Sequence, residues 1–500
     1  MTLHLSIVLW LPIAFGVLGL LVPAKMAGRV AVVGALLVLA YVVLYVVDFD
    51  MSSGALQYVT DETWIAELGI HYKLGLDGLN LVFVLLTAIT WFAATLWASF
   101  GDYEKPNLFF FHLLLGETAI LGALLAQDLA LFVLFFDLML IPFFFLVGVW
   151  GGPARIAATT KMVIYTLVGS LLMLTAAITT GVLAASGAGE SLSFAFSDLA
   201  QRPLGDGTQE WIFLFFAAAF LVKMPAFPLH GWMPDAYRQM PLPALAVFSA
   251  ALSKVAAYGF LRVCAPLFPQ AMEKFQTLLL AIALASILYG SAMAFTTTQA
   301  RLILGYSSLA QLGFITMGIF ALNEQGTQGA LLQSFNHGLV VAPAFFIVAL
   351  LAARAGGSED IRDMGGIALR APALAALFLI VAFATLAMPG SANFVGEFLI
   401  LLGVFQTKLV FSILAFAGVV MASFYALRLY IRTMHNRTGP RVESRELSLR
   451  DGLVLVPLVL AIIAISVYPQ FLLQRTEPTV AGGGAEPALA ETPPATLEVP

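Results

Sequence analysis

The chain has 500 residues, 61% of them hydrophobic and only 11% charged, with a mean hydropathy of +0.95 and a formal net charge of −5. That balance excludes a soluble globular domain, in which about a quarter of the residues are charged and about half apolar. A single cysteine, Cys264, excludes a disulfide framework or an iron–sulfur centre held by this chain. No glycine-rich phosphate loop, dinucleotide fingerprint or metal-ligand spacing occurs, and nothing points to nucleic acid.

Apolar runs of about 20 residues are long enough to cross hydrocarbon, and fourteen occur in chain order. They lie near 3–22, 30–47, 77–99, 108–126, 129–150, 160–183, 211–229, 242–265, 275–295, 301–321, 329–353, 371–390, 393–433 (one helix plus the end of its broken predecessor) and 452–471. The predicted fold is an all-α polytopic membrane protein. The first run lacks a basic leader and a small-residue cleavage site, so it reads as a span and not as a signal peptide. The loop 48–75 is expected to carry some ordered structure.

Residues 1–107 form a three-helix region with few polar interruptions, and 108–266 and 267–435 read as two comparable five-helix units. A cytoplasmic loop with the last span follows at 436–475, and 476–500, rich in Pro, Ala, Gly, Glu and Thr, is predicted to be a disordered tail. Each unit has one span broken by proline: Lys223-Met224-Pro225-Ala226-Phe227-Pro228 in the first, Met388-Pro389-Gly390-Ser391-Ala392-Asn393 in the second. Units with odd helix numbers set end to end have opposite topology, the inverted-repeat pattern of many transporters. Proline removes a backbone donor, and freed backbone groups are tolerated only inside protein or beside a watery cavity. Kinks are also common in membrane helices, but two breaks at matching places, each near a buried charge, point to a translocation path.

Loops after odd-numbered spans hold fifteen Lys and Arg, those after even-numbered spans with the C-terminal tail only five. The positive-inside rule then places the odd loops in the cytoplasm and both termini outside, in a bacterial cytoplasmic membrane.

A charge near the bilayer centre costs about 2.5–3.5 kcal/mol on insertion scales. Asp137, Lys223, Lys254 and Glu397 all stand inside apolar runs. An acid and a lysine that meet in low dielectric favour each other's charged forms, while desolvation favours the neutral ones. That close competition suits a proton relay, although a helix-clamping Asp137–Lys223 pair would leave the same trace. His337, in Asn336-His337-Gly338, is placed to pass protons between Lys254 and Glu397, or is a histidine bonded to a neighbour. Glu117 is either an accessory partner or a packed acid. His230 ends the broken seventh span on the cytoplasmic side, where protons would enter. His4, His71, His112 and His435 read as surface.

Four stretches then stand out together. They are Asp137-Leu138-Met139-Leu140-Ile141-Pro142 with Gly148-Val149-Trp150-Gly151, the block from Lys223 through Pro234-Asp235-Ala236, Arg301-Leu302 with Tyr306-Ser307-Ser308, and Gly396-Glu397-Phe398. In order and spacing, across roughly 75–435, the chain resembles the antiporter-like membrane subunits of respiratory complex I, the M-type subunit above all. The resemblance implies fourteen core helices, two inverted repeats and a mid-membrane polar axis that carries protons. Its lysines of spans seven and eight are Lys223 and Lys254, and its acid of span twelve is Glu397. Its span-five glutamate is Asp137 here, one methylene shorter, and the histidine many relatives carry after Tyr-Ser-Ser is Gln311, which cannot hold a proton. It further implies L- and N-type partner subunits, with NADH, FMN, iron–sulfur clusters and quinone held by other subunits and no cofactor in this chain. A subunit of a multi-subunit sodium/proton antiporter, or of an ion-pumping membrane hydrogenase, shares the lysine–proline block.

Overall fold

An apolar segment in a bilayer must close its own backbone hydrogen bonds, and a helix does so within the segment. The structure, a computed structural model, describes residues 3–482. Its spans are Leu5–Leu21, Ala24–Asp48, Gly78–Ser99, Pro106–Leu125, Leu129–Trp150, Arg155–Ala188, Asp206–Lys223, Leu242–Leu267, Pro269–Thr296, Ala300–Ile319, Glu324–Arg354, the pair Pro372–Thr385 and Ala392–Thr407, Leu409–Met434 and Leu449–Val467. The chain is an all-α polytopic membrane protein with the antiporter-like fold. Span six, 34 residues, reaches about 50 Å and overruns a hydrocarbon layer of about 30 Å.

One boundary departs from the sequence reading and another is fixed by the structure. In the run 393–433, read as one helix plus the end of its broken predecessor, the division falls at Lys408, which ends one helix and begins the next. Ala392–Thr407 is therefore the second half of span twelve, and Leu409–Met434 is span thirteen. The tail expected from 476 begins too early. Gln470–Ala481 is helical, the Thr476 hydroxyl donates to Gln328 Oε1 at 2.6 Å, and the Thr479 hydroxyl accepts from the Gly78 N–H at 3.1 Å. Composition alone could not count these contacts with spans three and eleven; the rest of the expected tail, 483–500, lies outside the described residues.

The loop between spans two and three holds an antiparallel hairpin, β1 (Gln57–Ile65) and β2 (Ile70–Leu76). Gly69 turns it at φ +60, against the Leu192 carbonyl, where a Cβ has no room. Asp61 bonds Lys73 at 3.0 Å and His71 at 2.7 Å across the hairpin. Burial raises the Asp61 carboxyl, but these partners outweigh it and hold the group below its usual range. The end of the bundle that carries the hairpin is called the hairpin face below.

Span eight and span ten are wholly enclosed and span eleven nearly so, whereas spans two, thirteen and fourteen turn most of their surface outward. Lys254, Gln311 and His337 therefore sit on the three most interior helices.

Candidate functional site

Span five carries Pro142, which cannot donate to the Leu138 carbonyl, and the helix divides into Leu129–Leu138 and Leu140–Trp150. Just before this fault the Phe136 carbonyl accepts a hydrogen bond from Lys223 Nζ at 3.1 Å, and the ammonium lies 4.5 Å from the Phe136 ring centroid. Span seven stops at Lys223 because Pro225 and Pro228 lack donors. The freed groups are taken up locally: Leu221 O accepts from Ala226 N–H at 2.9 Å, Val222 O from the Trp232 indole at 3.1 Å, and Phe227 N–H donates to Ser286 Oγ at 2.9 Å. Asp137 is half-buried, with Oδ1 unpartnered. It acts on Lys223 through space, yet no salt bridge joins the two among the described residues. An ammonium has three donors; protein takes one here, and the Phe136 ring faces the charge.

Lys254 sits between two π-helical stretches of span eight, Phe248–Leu252 and Phe260–Cys264, and is fully buried. A π turn widens the ladder and releases carbonyls. Lys254 Nζ donates to one of them, Ser249 O, at 2.5 Å, and to Ser253 Oγ at 3.3 Å. Span eleven approaches at Gly338, where a Cβ would stand 2.6 Å from the Ala250 carbonyl. That glycine brings the neighbouring His337 into electrostatic reach of Lys254, with Nδ1 unpartnered.

One turn earlier on span eleven, Gln333 Nε2 donates to Gln311 Oε1 at 2.6 Å, and Gln311 Nε2 donates to Glu397 Oε1 at 2.8 Å. A parallel line of hydroxyls runs beside it. Ser249 Oγ meets Ser308 Oγ at 3.2 Å, and Ser307 Oγ donates to the Tyr425 hydroxyl at 3.1 Å. Around the break in span twelve, Asn336 Oδ1, His337 Nδ1, Ser391 Oγ, both polar atoms of the Asn393 side chain and Glu397 Oε2 are buried without protein partners. Leaving such atoms dry costs about 1–3 kcal/mol each, so this cluster is built for ordered water.

Lys223, Lys254 and Glu397 are buried in the bundle, and Asp137 is half-buried. Glu117 is fully buried on span four with neither carboxylate oxygen partnered. His230 is buried between Phe227 and Tyr289, with ring centroids at 5.7 and 4.8 Å. His112 is not the surface residue expected: span four begins at Pro106, so the ring lies inside it and bonds the Leu108 carbonyl at 2.7 Å. Sequence reading missed Gln333, Ser249 and Tyr425. Gln333 had a signal, since it stands four residues before His337 on one helical face. It also missed the buried ion pair of Arg262 with Asp77, the residue that caps span three. Among the described residues no three His, Cys, Asp or Glu side chains converge as metal ligands would.

Residues 126–424 match the family described as NADH:quinone oxidoreductase/Mrp antiporter, TM. A Rhodobacter capsulatus protein named NADH-quinone oxidoreductase subunit M is 35% identical over 495 residues, covering 95% of each chain. The chain belongs to this family. A chain of respiratory complex I from Thermus thermophilus with bound NADH superposes with a TM-score of 0.87 at 31% identity, over 96% of this chain and 99% of that one. A chain of the Mrp complex from Dietzia sp. DQ12-45-1b superposes with a TM-score of 0.82 over 95% of this chain and 52% of that one, but at 19% identity the likeness is of fold alone. The stretch matched to the NADH:quinone oxidoreductase/Mrp family includes Asp137, Lys223, His230, Lys254, Gln311, His337 and Glu397; Glu117 precedes it.

Proposed function

We propose that the chain is the M-type proton-translocating membrane subunit of an NADH:quinone oxidoreductase, driven by electron transfer in other subunits. The observation that supports this reading is the set of buried polar pairs between Lys254 and Glu397: Ser249 with Ser308, Ser307 with Tyr425, and Gln333 with Gln311 and Glu397. A purely structural bundle gains nothing by keeping acids, lysines and unpartnered amides at that depth.

Lys223 accepts a proton from the basic face by way of His230, with Asp137 tuning how firmly it is held. Transfer towards Lys254 discharges Lys223, and His337 with the surrounding water passes protons between Lys254 and Glu397. Gln311 and Gln333 hold the carboxylate and the water file in place without titrating. The 108–266 and 267–435 units are inverted repeats, so their broken helices offer hydration from opposite sides. The distribution of Lys and Arg supports an outward hairpin face and outward termini, in a bacterial cytoplasmic membrane. NADH, FMN, iron–sulfur clusters and quinone belong to partner subunits, and L- and N-type chains flank this one.

The test is Lys223→Ala and Glu397→Ala in the assembled complex, reconstituted in vesicles. Proton pumping and coupled quinone reduction fall by about 100-fold or more while the complex still assembles. Pumping at wild-type stoichiometry in both variants would overturn the assignment. The family description also covers Mrp antiporters; sodium/proton exchange by vesicles that lack NADH:quinone activity would favour that second reading.

A further inference from the structure

We infer that the outward step leaves Lys254 along its own helix, through Tyr258 to the Arg262–Asp77 pair, and not along span twelve beyond Glu397. This rests on the proton-translocating reading above and on the outward hairpin face proposed with it. Lys254, Tyr258 and Arg262 follow one another at four-residue intervals, which aligns them on one face of span eight over about 12 Å of helix. Arg262 Nε–H donates to the Tyr258 hydroxyl at 3.1 Å, and the Arg262 guanidinium pairs with Asp77 Oδ2. All of these groups are buried within the bundle. Asp77 and Arg262 then form the wall of a cavity of about 620 Å³ at the hairpin face, which Lys73 and Gln127 also line.

Outward from Glu397, spans eleven and twelve pack backbone against backbone. A Cβ on Gly329 would lie 2.6 Å from Ile400 N, and one on Gly403 would lie 2.5 Å from Gly326 N. Helices this close leave no space for a file of water. The route along span eight has a polar group at every turn, whereas the seam between spans eleven and twelve is tight at Gly329 and Gly403.

The step balances without a redox partner. The Lys254 ammonium gives up a proton to water in the gap of one helical turn, about 6 Å of rise. Through that water the Tyr258 oxygen accepts a proton while its own O–H proton moves on towards Asp77, so tyrosine is neutral before and after. The Asp77 carboxylate accepts the proton as its bond to Arg262 opens, and releases it to the cavity. Arg262 stays charged throughout; it is a positioning residue that holds the hydroxyl and the carboxylate in line.

The competing account is a structural latch, since Asp77 also caps span three by accepting from the Leu79 and Asn80 N–H groups at 3.0 and 3.2 Å. Tyr258→Phe separates the two, because it keeps the ring packed between Phe83 and Phe132 and removes only the hydroxyl. In the whole complex in proteoliposomes, Tyr258→Phe lowers the NADH-driven pumping rate by at least about tenfold with assembly intact. Asp77→Asn does the same, and Asp77→Glu recovers the rate to within about twofold. Thr90→Val, which removes a buried hydroxyl bonded only within span three, leaves pumping unchanged. Wild-type pumping in Tyr258→Phe overturns the route. If Lys223→Ala is inactive at the same time, the route alone fails; if Lys223→Ala also pumps normally, the function proposed above fails with it.

Discussion

The breaks in spans seven and twelve interrupt apolar helices alike, yet they keep their ionisable groups in opposite surroundings. At span seven almost every freed backbone group is taken by protein: Ala226, the Trp232 indole and Ser286 close the gap, and Lys223 rests on the carbonyl and ring of Phe136. At span twelve the backbone passes through left-handed conformations at Ala387 and Gly390, φ 52 and 90, and Ser391 and Asn393 leave their polar atoms unpartnered. A left-handed Ala costs about 1–2 kcal/mol, so the opening is maintained at a cost. The first break is a dry seat for a cation. The second is a wet seat for a carboxylate. In the proposed relay the lysine would be controlled by packing and the acid by hydration, and substitutions should separate the two.

The largest difference should come from changes that keep the charge and alter the chemistry. Lys223→Arg keeps a cation on the Phe136 carbonyl, but a guanidinium does not release its proton. Pumping in reconstituted complex should fall by about 100-fold with assembly unchanged. In the same assay Glu397→Asp should stay within about threefold, because water can bridge the missing methylene at a wet site. If Lys223→Arg pumps normally, Lys223 is a fixed charge and the contrast between the breaks is not functional.

A smaller effect should appear at Asp137, which meets Lys223 through space and not through a direct bond. Asp137→Asn removes the field that favours the loaded lysine and should lower pumping by about tenfold. Asp137→Glu should remain within about twofold, since the longer side chain restores the reach. An inactive glutamate variant would mean that Asp137 is held for its short length, as a packing residue.

How legible each group was in the sequence follows from how much its burial costs. Asp137, Lys223, Lys254 and Glu397 stood out because a charge in an apolar run is expensive enough to demand a reason. Gln333, Ser249 and Tyr425 did not, since neutral polar residues are tolerated in membrane helices and only their pairing reveals them. Asp77 and Arg262 sit near helix ends, where hydropathy alone cannot tell a solvated anchor from a buried ion pair. The apolar run after Asn393 concealed the boundary at Lys408, because both helices that meet there are apolar. The helix Gln470–Ala481 was hidden by a composition that suits disorder and is held instead by tertiary contacts through Thr476 and Thr479.

The smallest of these effects belongs to Gln311, which donates to Glu397 and accepts from Gln333 at the wet break. Gln311→Leu leaves both partners unpaired in a buried site. At about 1–3 kcal/mol for each lost polar contact, water entering the site should recover most of the loss, and pumping should fall by only about threefold to tenfold. Gln311→His restores a donor and an acceptor together with a group that can itself carry a proton, so its rate should lie within about twofold of wild type. The comparison is read from initial pumping rates of the two variants in one vesicle preparation. If leucine costs as much as Lys223→Arg, Glu397 is held by direct protein bonds and its seat is as dry as that of Lys223. If histidine is the slower of the two, added titration at this position works against the relay, and Gln311 serves by staying neutral.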